Sequence, residues 1–129
     1  MVARPSGGRE AAGSNPVVPT IPKLRGDEMK MYYTTTSDLN NAERISKIFL
    51  NDKKAVCINL IKNVNSFYLD DNSVNFANEI IMIIKTKLKK NEIERYINKI
   101  HNYEIPLIVE IKSGLPNLDY ANWFAKNLE

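Results

Sequence analysis

The spacing of apolar and polar positions changes repeatedly along residues 30–128, and each change predicts a new element. "KMYYTTT" (30–36) is short, β-branched and aromatic, which predicts a strand. In "SDLNNAERISKIFLNDKK" (37–54), Leu39, Ala42, Ile45 and Phe49 fall on one helical face, with Ser37 or Asp38 placed to cap the first turn. "AVCINLIKNVNSFYL" then alternates. Val56, Ile58, Leu60, Val64 and Tyr68 are predicted on one face, Cys57, Asn59, Ile61 and Asn63 on the other. "DDNS" signals a turn and "VNFANEIIMIIKT" resumes the extended run, so residues 56–86 predict a long hairpin. "KNEIERYINKIH" predicts a second helix, with Asn91 as its cap, Glu94 three residues later as in a capping box, and a stripe of Ile93, Tyr96, Ile97 and Ile100. "PLIVEIK" predicts a fourth strand and "NLDYANWFAKNL" a short terminal helix.

The order βαββαβ plus a C-terminal helix predicts an α+β, ferredoxin-like fold with an antiparallel sheet. Both main helices then lie on one face, and the other is left without cover from this chain. Ile80, Ile81, Met82, Ile83 and Ile84 nevertheless put apolar side chains on both faces of the third strand. Burying an Ile-sized side chain is worth roughly 1.5–3 kcal/mol, so the second face predicts self-association. The long hairpin offers edges for a neighbouring copy, and any site is expected between subunits.

Composition narrows the class. The chain has 129 residues, 43% of them hydrophobic, enough for one core. No apolar run is long enough to span a membrane as a helix. Its formal charge is +3, but five basic and three acidic residues lie in 1–30, leaving thirteen against twelve for the rest. A nucleic-acid partner is therefore not expected. Cys57 is the only cysteine, which excludes an internal disulfide and suits a reducing, cytoplasmic setting. Four of six prolines and four of five glycines fall in the first 28 residues, which contain no aromatic side chain. Residues 1–30 are expected to form a flexible tail, a vector-derived or targeting leader, ahead of a domain over 31–129 with a natural start at Met29 or Met31.

Candidate chemistry is sparse. His101, the only histidine, sits in "NKIHNYEIP", where it either ends a helix, its partial charge suiting the dipole, or offers a metal ligand in a cleft between subunits. One imidazole binds metal weakly, and a carboxylate such as Glu104 would have to join it. Cys57 is either a small buried hydrophobe or a soft Cu(I) ligand. Glu79 and Lys85 share a face of one strand about 20 Å apart, so each needs a partner from elsewhere. Asp70 and Asp71 suit a solvated turn. Tyr103, Tyr120 and Trp123 are core or interface aromatics, or surfaces on which a ligand stacks. No nucleophile–base pair, glycine-rich phosphate loop or second histidine points to an enzyme.

The segments "RISKIFLNDKKAVCINLI", "NSFYLDDN", "NEIIMIIKT", "HNYEIPLIVEI" and "DYANWFAKNL" resemble, in order and spacing, the CutA divalent-cation-tolerance family over residues 31–129. The most specific parts are H-x-Y-x-x-P at His101, Tyr103 and Pro106, the spacing of Glu79 to Lys85 and Thr86, Cys57 in "AVCIN", and Y-x-x-W at Tyr120 and Trp123. The resemblance implies a ferredoxin-like subunit trimerised through its hairpins, with a role in copper tolerance and divalent-metal binding. His101 and Cys57 become the candidate ligands, and Glu79, Lys85, Tyr103, Glu104 and Trp123 candidate cleft residues. The chain departs from the family at the hairpin tip, where Asp70 and Asn72 stand for a tryptophan and a glycine, and at Leu107, where a glutamate is common. Family metal contacts fall here on Thr34, Ile100 and His101, of which only His101 is a strong ligand. A second reading is a metal-independent trimeric sensor or scaffold resembling the PII signalling proteins, with a metabolite in the cleft.

Overall fold

The computed structural model describes residues 29–128, in the order β1 (Lys30–Thr36), α1 (Leu39–Asn51), β2 (Cys57–Asp70), β3 (Ser73–Thr86), α2 (Lys90–Ile100), β4 (Val109–Ile111) and α3 (Leu118–Asn127). The expected tail over 1–30 lies outside the described residues up to residue 28, and Lys30 already belongs to β1.

Local chemistry fixes the helix ends. Asp38, not Ser37, caps α1, its Oδ1 accepting the Asn41 N–H at 2.8 Å. The expected run to Lys54 stops at Asn51, because Lys53 turns to φ 56 and the Lys54 N–H returns to the Phe49 carbonyl at 2.8 Å. That closure satisfies carbonyls which a further turn would otherwise occupy. α2 opens earlier than expected: Lys89, not Asn91, is the cap, and Glu92 accepts the Lys89 N–H at 2.7 Å. Glu94, expected to close the box, pairs instead with Lys90 one turn before it, at 2.6 Å.

The four strands form one antiparallel sheet in the order β2-β3-β1-β4. Alternation sends Tyr32 of β1 and Ile80, Met82 and Ile84 of β3 to the face under α1 and α2, where Ala42, Ile45, Phe49, Ile93 and Ile97 close the core. Tyr32 is buried yet satisfied, its hydroxyl donating to the Leu88 carbonyl at 2.7 Å. Burial pushes that phenol up to about 12.

Three expectations need correction. The second sheet face is not wholly bare. α3 crosses one end of it, placing Tyr120 over the Lys85 ammonium, 5.5 Å from the ring centroid, and leaving Cys57 only 7% exposed. The rest of that face stays open, with Ile61 and Val109 at 49% and 46% exposure. The strand expected from "PLIVEIK" shrinks to Val109–Ile111. Pro106 has no N–H to give a ladder, and the Leu107 carbonyl accepts the buried Thr34 hydroxyl at 2.6 Å instead of a strand partner.

The third correction concerns β2. Ile61 pairs with Ile81 and Val64 with Glu79, so Lys62 and Asn63 together face Ile80. This bulge carries Asn63 at φ 61 and reverses the alternation beyond it. Ile58 and Leu60 point under the helices as expected, but Val64 and Tyr68 join Cys57, Asn59 and Ile61 on the opposite face. Asp71 and Asn72 close the hairpin as a two-residue turn, both at positive φ (53 and 62).

The left-handed conformation at position 63 is tolerated by Asn and strained for a β-branched side chain. Asn63→Val is expected to lose about 1–3 kcal/mol of stability. Asn63→Gly should stay within about 0.5 kcal/mol of the parent. Urea unfolding of both variants checks the pair, and equal losses would place the bulge elsewhere.

Candidate functional site

Two buried hydroxyls and one imidazole hold the chain between α2 and β4 against the end of β1. Thr34 donates to Leu107 as described, Thr36 donates to Asn102 Oδ1 at 2.6 Å, and the Asn102 amide donates to Ser37 Oγ at 2.9 Å. Arg44 of α1 adds a bond to the Ile100 carbonyl at 2.8 Å. His101 caps α2, its own N–H reaching the Ile97 carbonyl at 2.9 Å.

The His101 ring is committed on both sides. Nδ1 accepts the Tyr103 N–H at 2.9 Å, which requires the proton on Nε2, and Nε2 lies 2.7 Å from the Thr35 carbonyl. Burial lowers the ring's pKa, helped by the Arg44 charge and opposed by the Thr35 bond and Glu79. The neutral tautomer is thus the one the fold is built around.

Tyr103 carries this arrangement onto the second sheet face. Its ring lies 5.0 Å from the imidazole, and its hydroxyl donates to Glu79 Oε2 at 2.6 Å. The other oxygen, Oε1, accepts the Ser66 hydroxyl, also at 2.6 Å. Burial first, then the Glu79 bond, raises the Tyr103 pKa strongly, so the phenol remains a donor. A cleft of about 350 Å³ opens beside this carboxylate, lined by Ser37, Asn63, Asn65, Asn78, Glu79 and Ile80.

The candidate residues therefore divide into two groups. His101, Tyr103 and Glu79 converge; Cys57 and Lys85 lie beneath α3 instead, on which Trp123 stacks 5.2 Å from Tyr120. The Tyr120 hydroxyl is buried with no hydrogen-bond partner among the described residues, and burial raises its pKa. Cys57 stands level with Lys85, and the Thr35 carbonyl that His101 bonds stands level with Ile81. Four residues of strand, about 13 Å, separate the two levels. Glu104 is exposed and joins neither group.

Among the described residues, no three His, Cys, Asp or Glu side chains are gathered to hold an ion. The lone pair on His101 Nδ1 is taken, Thr34 is occupied by Leu107, and Ile100 has no donor atom. Within one subunit the set does not fit a metal. Ser66 and the asparagines were missed in the sequence because the bulge turns Ser66 toward Glu79; Asn63, a residue tolerant of positive φ inside an extended run, was the available signal.

Tyr103→Phe leaves Glu79 one donor short and is expected to cost about 1 kcal/mol in urea unfolding. Because folding depresses the His101 pKa, the unfolded chain takes up the proton first. The contribution is complete above the ordinary histidine value of about 6.5 and is lost as pH falls below it. Stability should drop more between pH 7.5 and 5 for the parent than for His101→Gln; equal slopes would contradict the buried neutral ring.

Comparison with known proteins gives a consistent outcome. A family profile described as "CutA1 divalent ion tolerance protein" matches residues 30–127. The divalent-cation tolerance protein CutA of Archaeoglobus fulgidus is 32% identical over 100 residues, covering 75% of this chain and 95% of that protein. Its counterpart in Thermococcus kodakarensis is 29% identical over 102 residues, covering 78% and 97%. Among solved structures, the divalent ion tolerance protein CutA1 of Ehrlichia chaffeensis superposes with a TM-score of 0.72 at 28% identity, over 78% of this chain and 95% of that one. The A. fulgidus structure, titled a periplasmic divalent cation tolerance protein, gives 0.72 at 29%, over 78% and 99%. This chain belongs to the CutA1 divalent ion tolerance family.

Proposed function

We propose that this protein works as a homotrimer of ferredoxin-like subunits that holds a divalent metal ion, copper among them, or a small ligand in clefts between subunits, in the cell's tolerance of divalent cations. The observation that carries the reading is the far half of the hairpin. Phe67, Leu69, Val74 and Phe76 share one face beyond the helix layer and are 53–74% exposed. At roughly 1.5–3 kcal/mol for each large apolar side chain, leaving them in water is costly. Residues 73–79 of β3 also pair with β2 alone, because β1 reaches only as far as Ile80, so one edge is free for a neighbouring strand. The strand order with both main helices on one face supports the ferredoxin-like plan.

The proposed cleft centres on Glu79. A carboxylate has about four acceptor positions, and Tyr103 and Ser66 use two. The remaining two point to a donor or cation brought by another copy. Binding, not catalysis, is the role this supports. A cytoplasmic placement goes with the single, buried cysteine. One observation favours the PII-like alternative: both His101 nitrogens are engaged within the subunit, which suits a cleft that takes a metabolite instead of an ion.

Sedimentation velocity at micromolar concentration should give a trimer, and Phe67→Asp combined with Leu69→Asp should release single subunits; a stable lone subunit in the parent protein removes the basis of the reading. Calorimetric titration with copper and zinc separates its two halves. Uptake lost in His101→Ala supports the metal role, and identical uptake by parent and variant excludes His101 as a ligand.

A further inference from the structure

A second cleft, sharing no lining residue with the first, lies along α2. It encloses about 220 Å³ between α2 and the segments that follow α1 and β3, and is lined by Lys54, Leu88, Glu92, Arg95, Tyr96 and Lys99. Three cations and one carboxylate meet here, whereas residues 31–129 as a whole are nearly neutral. The concentration of positive charge is a local feature of this cleft.

None of the three cations forms a direct ion pair among the described residues. Among the described residues the one ion pair is Lys90–Glu94, outside the cleft. Arg95 and Lys99 stand one helical turn apart, a like-charged spacing that repels. Glu92, the one acid lining the cleft, accepts the Lys89 N–H at the start of α2, and the nearby Asp52 carboxylate accepts the Tyr96 hydroxyl. The floor is rigid. Tyr96 meets Phe49 edge-on at 4.8 Å, its hydroxyl donates to the Asp52 carboxylate, and Lys54 is held 5.9 Å above its ring.

We propose that this cleft binds a small phosphate-bearing anion, with Arg95 and Lys99 gripping the phosphate from α2, Lys54 closing from the other wall, and Tyr96 with Leu88 supporting the attached carbon group. A guanidinium fork matches phosphate oxygens in pairs, and an anion relieves the Arg95–Lys99 repulsion that the empty cleft leaves standing. The volume is below the roughly 300–1,000 Å³ of sites for drug-sized ligands, which selects a compact anion over a whole dinucleotide. The lining residues are shared neither with the Glu79 cleft nor with the exposed apolar half of the hairpin, so the proposal does not rest on the trimer.

The test is calorimetric titration of the full chain with sodium pyrophosphate at low ionic strength, against sodium chloride of matched ionic strength. Pyrophosphate should bind, and Arg95→Gln and Lys99→Gln should each weaken it about tenfold. Lys90→Gln, which removes an exposed charge outside the cleft, should leave binding unchanged. All three positions are exposed on α2, so the variants should fold, and matching circular dichroism spectra are the check. The proposal is overturned if the parent gives no heat beyond the chloride control, or if Lys90→Gln weakens binding as much as Arg95→Gln. It is equally overturned if binding survives in the double variant Arg95→Gln with Lys99→Gln, which would put the anion outside this cleft.

Discussion

One extra residue in β2 decides what each half of the hairpin does. Up to Ile61 the strand keeps step with β3 and its even positions feed the core; past Lys62 and Asn63 the step is reversed. Without the bulge, Ser66 would point to the helix side and Glu79 would lose one of its two hydroxyl donors. With it, Phe67 and Leu69 of β2 fall on the same face as Phe76 and Val74 of β3, just where the helix layer has ended. A polar site on one face and an unsupported apolar patch on the other are therefore two consequences of a single register change.

The segment from His101 to Leu107 supplies the other half of the site, and it is held by polar bonds where a strand was expected. β1 has the pattern Tyr32, Thr34, Thr36 on its buried side, and each hydroxyl finds an acceptor across the sheet end or in the following loop. Buried hydroxyls cost free energy unless paired, so these threonines define where the loop must lie. His101 adds a titratable link to that strap. Its neutral ring accepts from Tyr103 on one side and donates to β1 on the other, which fixes the Tyr103 phenol within reach of Glu79.

Much of this was legible in the residues. Helical stripes at Ala42, Ile45 and Phe49 and at Ile93 and Ile97, the hairpin turn at Asp71 and Asn72, and the pairing of strands into an α+β sheet follow from periodicity and turn chemistry. Face assignments in β2 failed beyond residue 61 because period-two reasoning carries no information about an inserted residue. The residues from Pro106 have the β propensity of a strand, but the acceptor demand of Thr34, a partner 73 positions away in sequence, takes the Leu107 carbonyl out of any ladder. Cys57 and Lys85 pair across the sheet under Tyr120, but that depends on where the terminal helix docks, and an amphipathic ten-residue helix does not state its docking surface. The basic cleft at Arg95 and Lys99 was invisible because its third cation comes from beyond the end of α1.

The wiring of His101 also constrains any ion that occupies the Glu79 cleft. Coordination through Nδ1 would compete directly with the Tyr103 N–H, and coordination through Nε2 would release the Thr35 carbonyl and require the other tautomer. Either event loosens the loop that positions Tyr103, and with it one of the two donors on Glu79. A ligand at the imidazole is thus coupled to the charge balance of the carboxylate through a single three-residue turn. Occupants that use the open acceptor positions of Glu79 avoid that cost, because they add to the hydroxyl bonds already present without displacing them. Selection at this cleft follows from which groups are already satisfied, and the carboxylate, not the imidazole, is the side chain with capacity left.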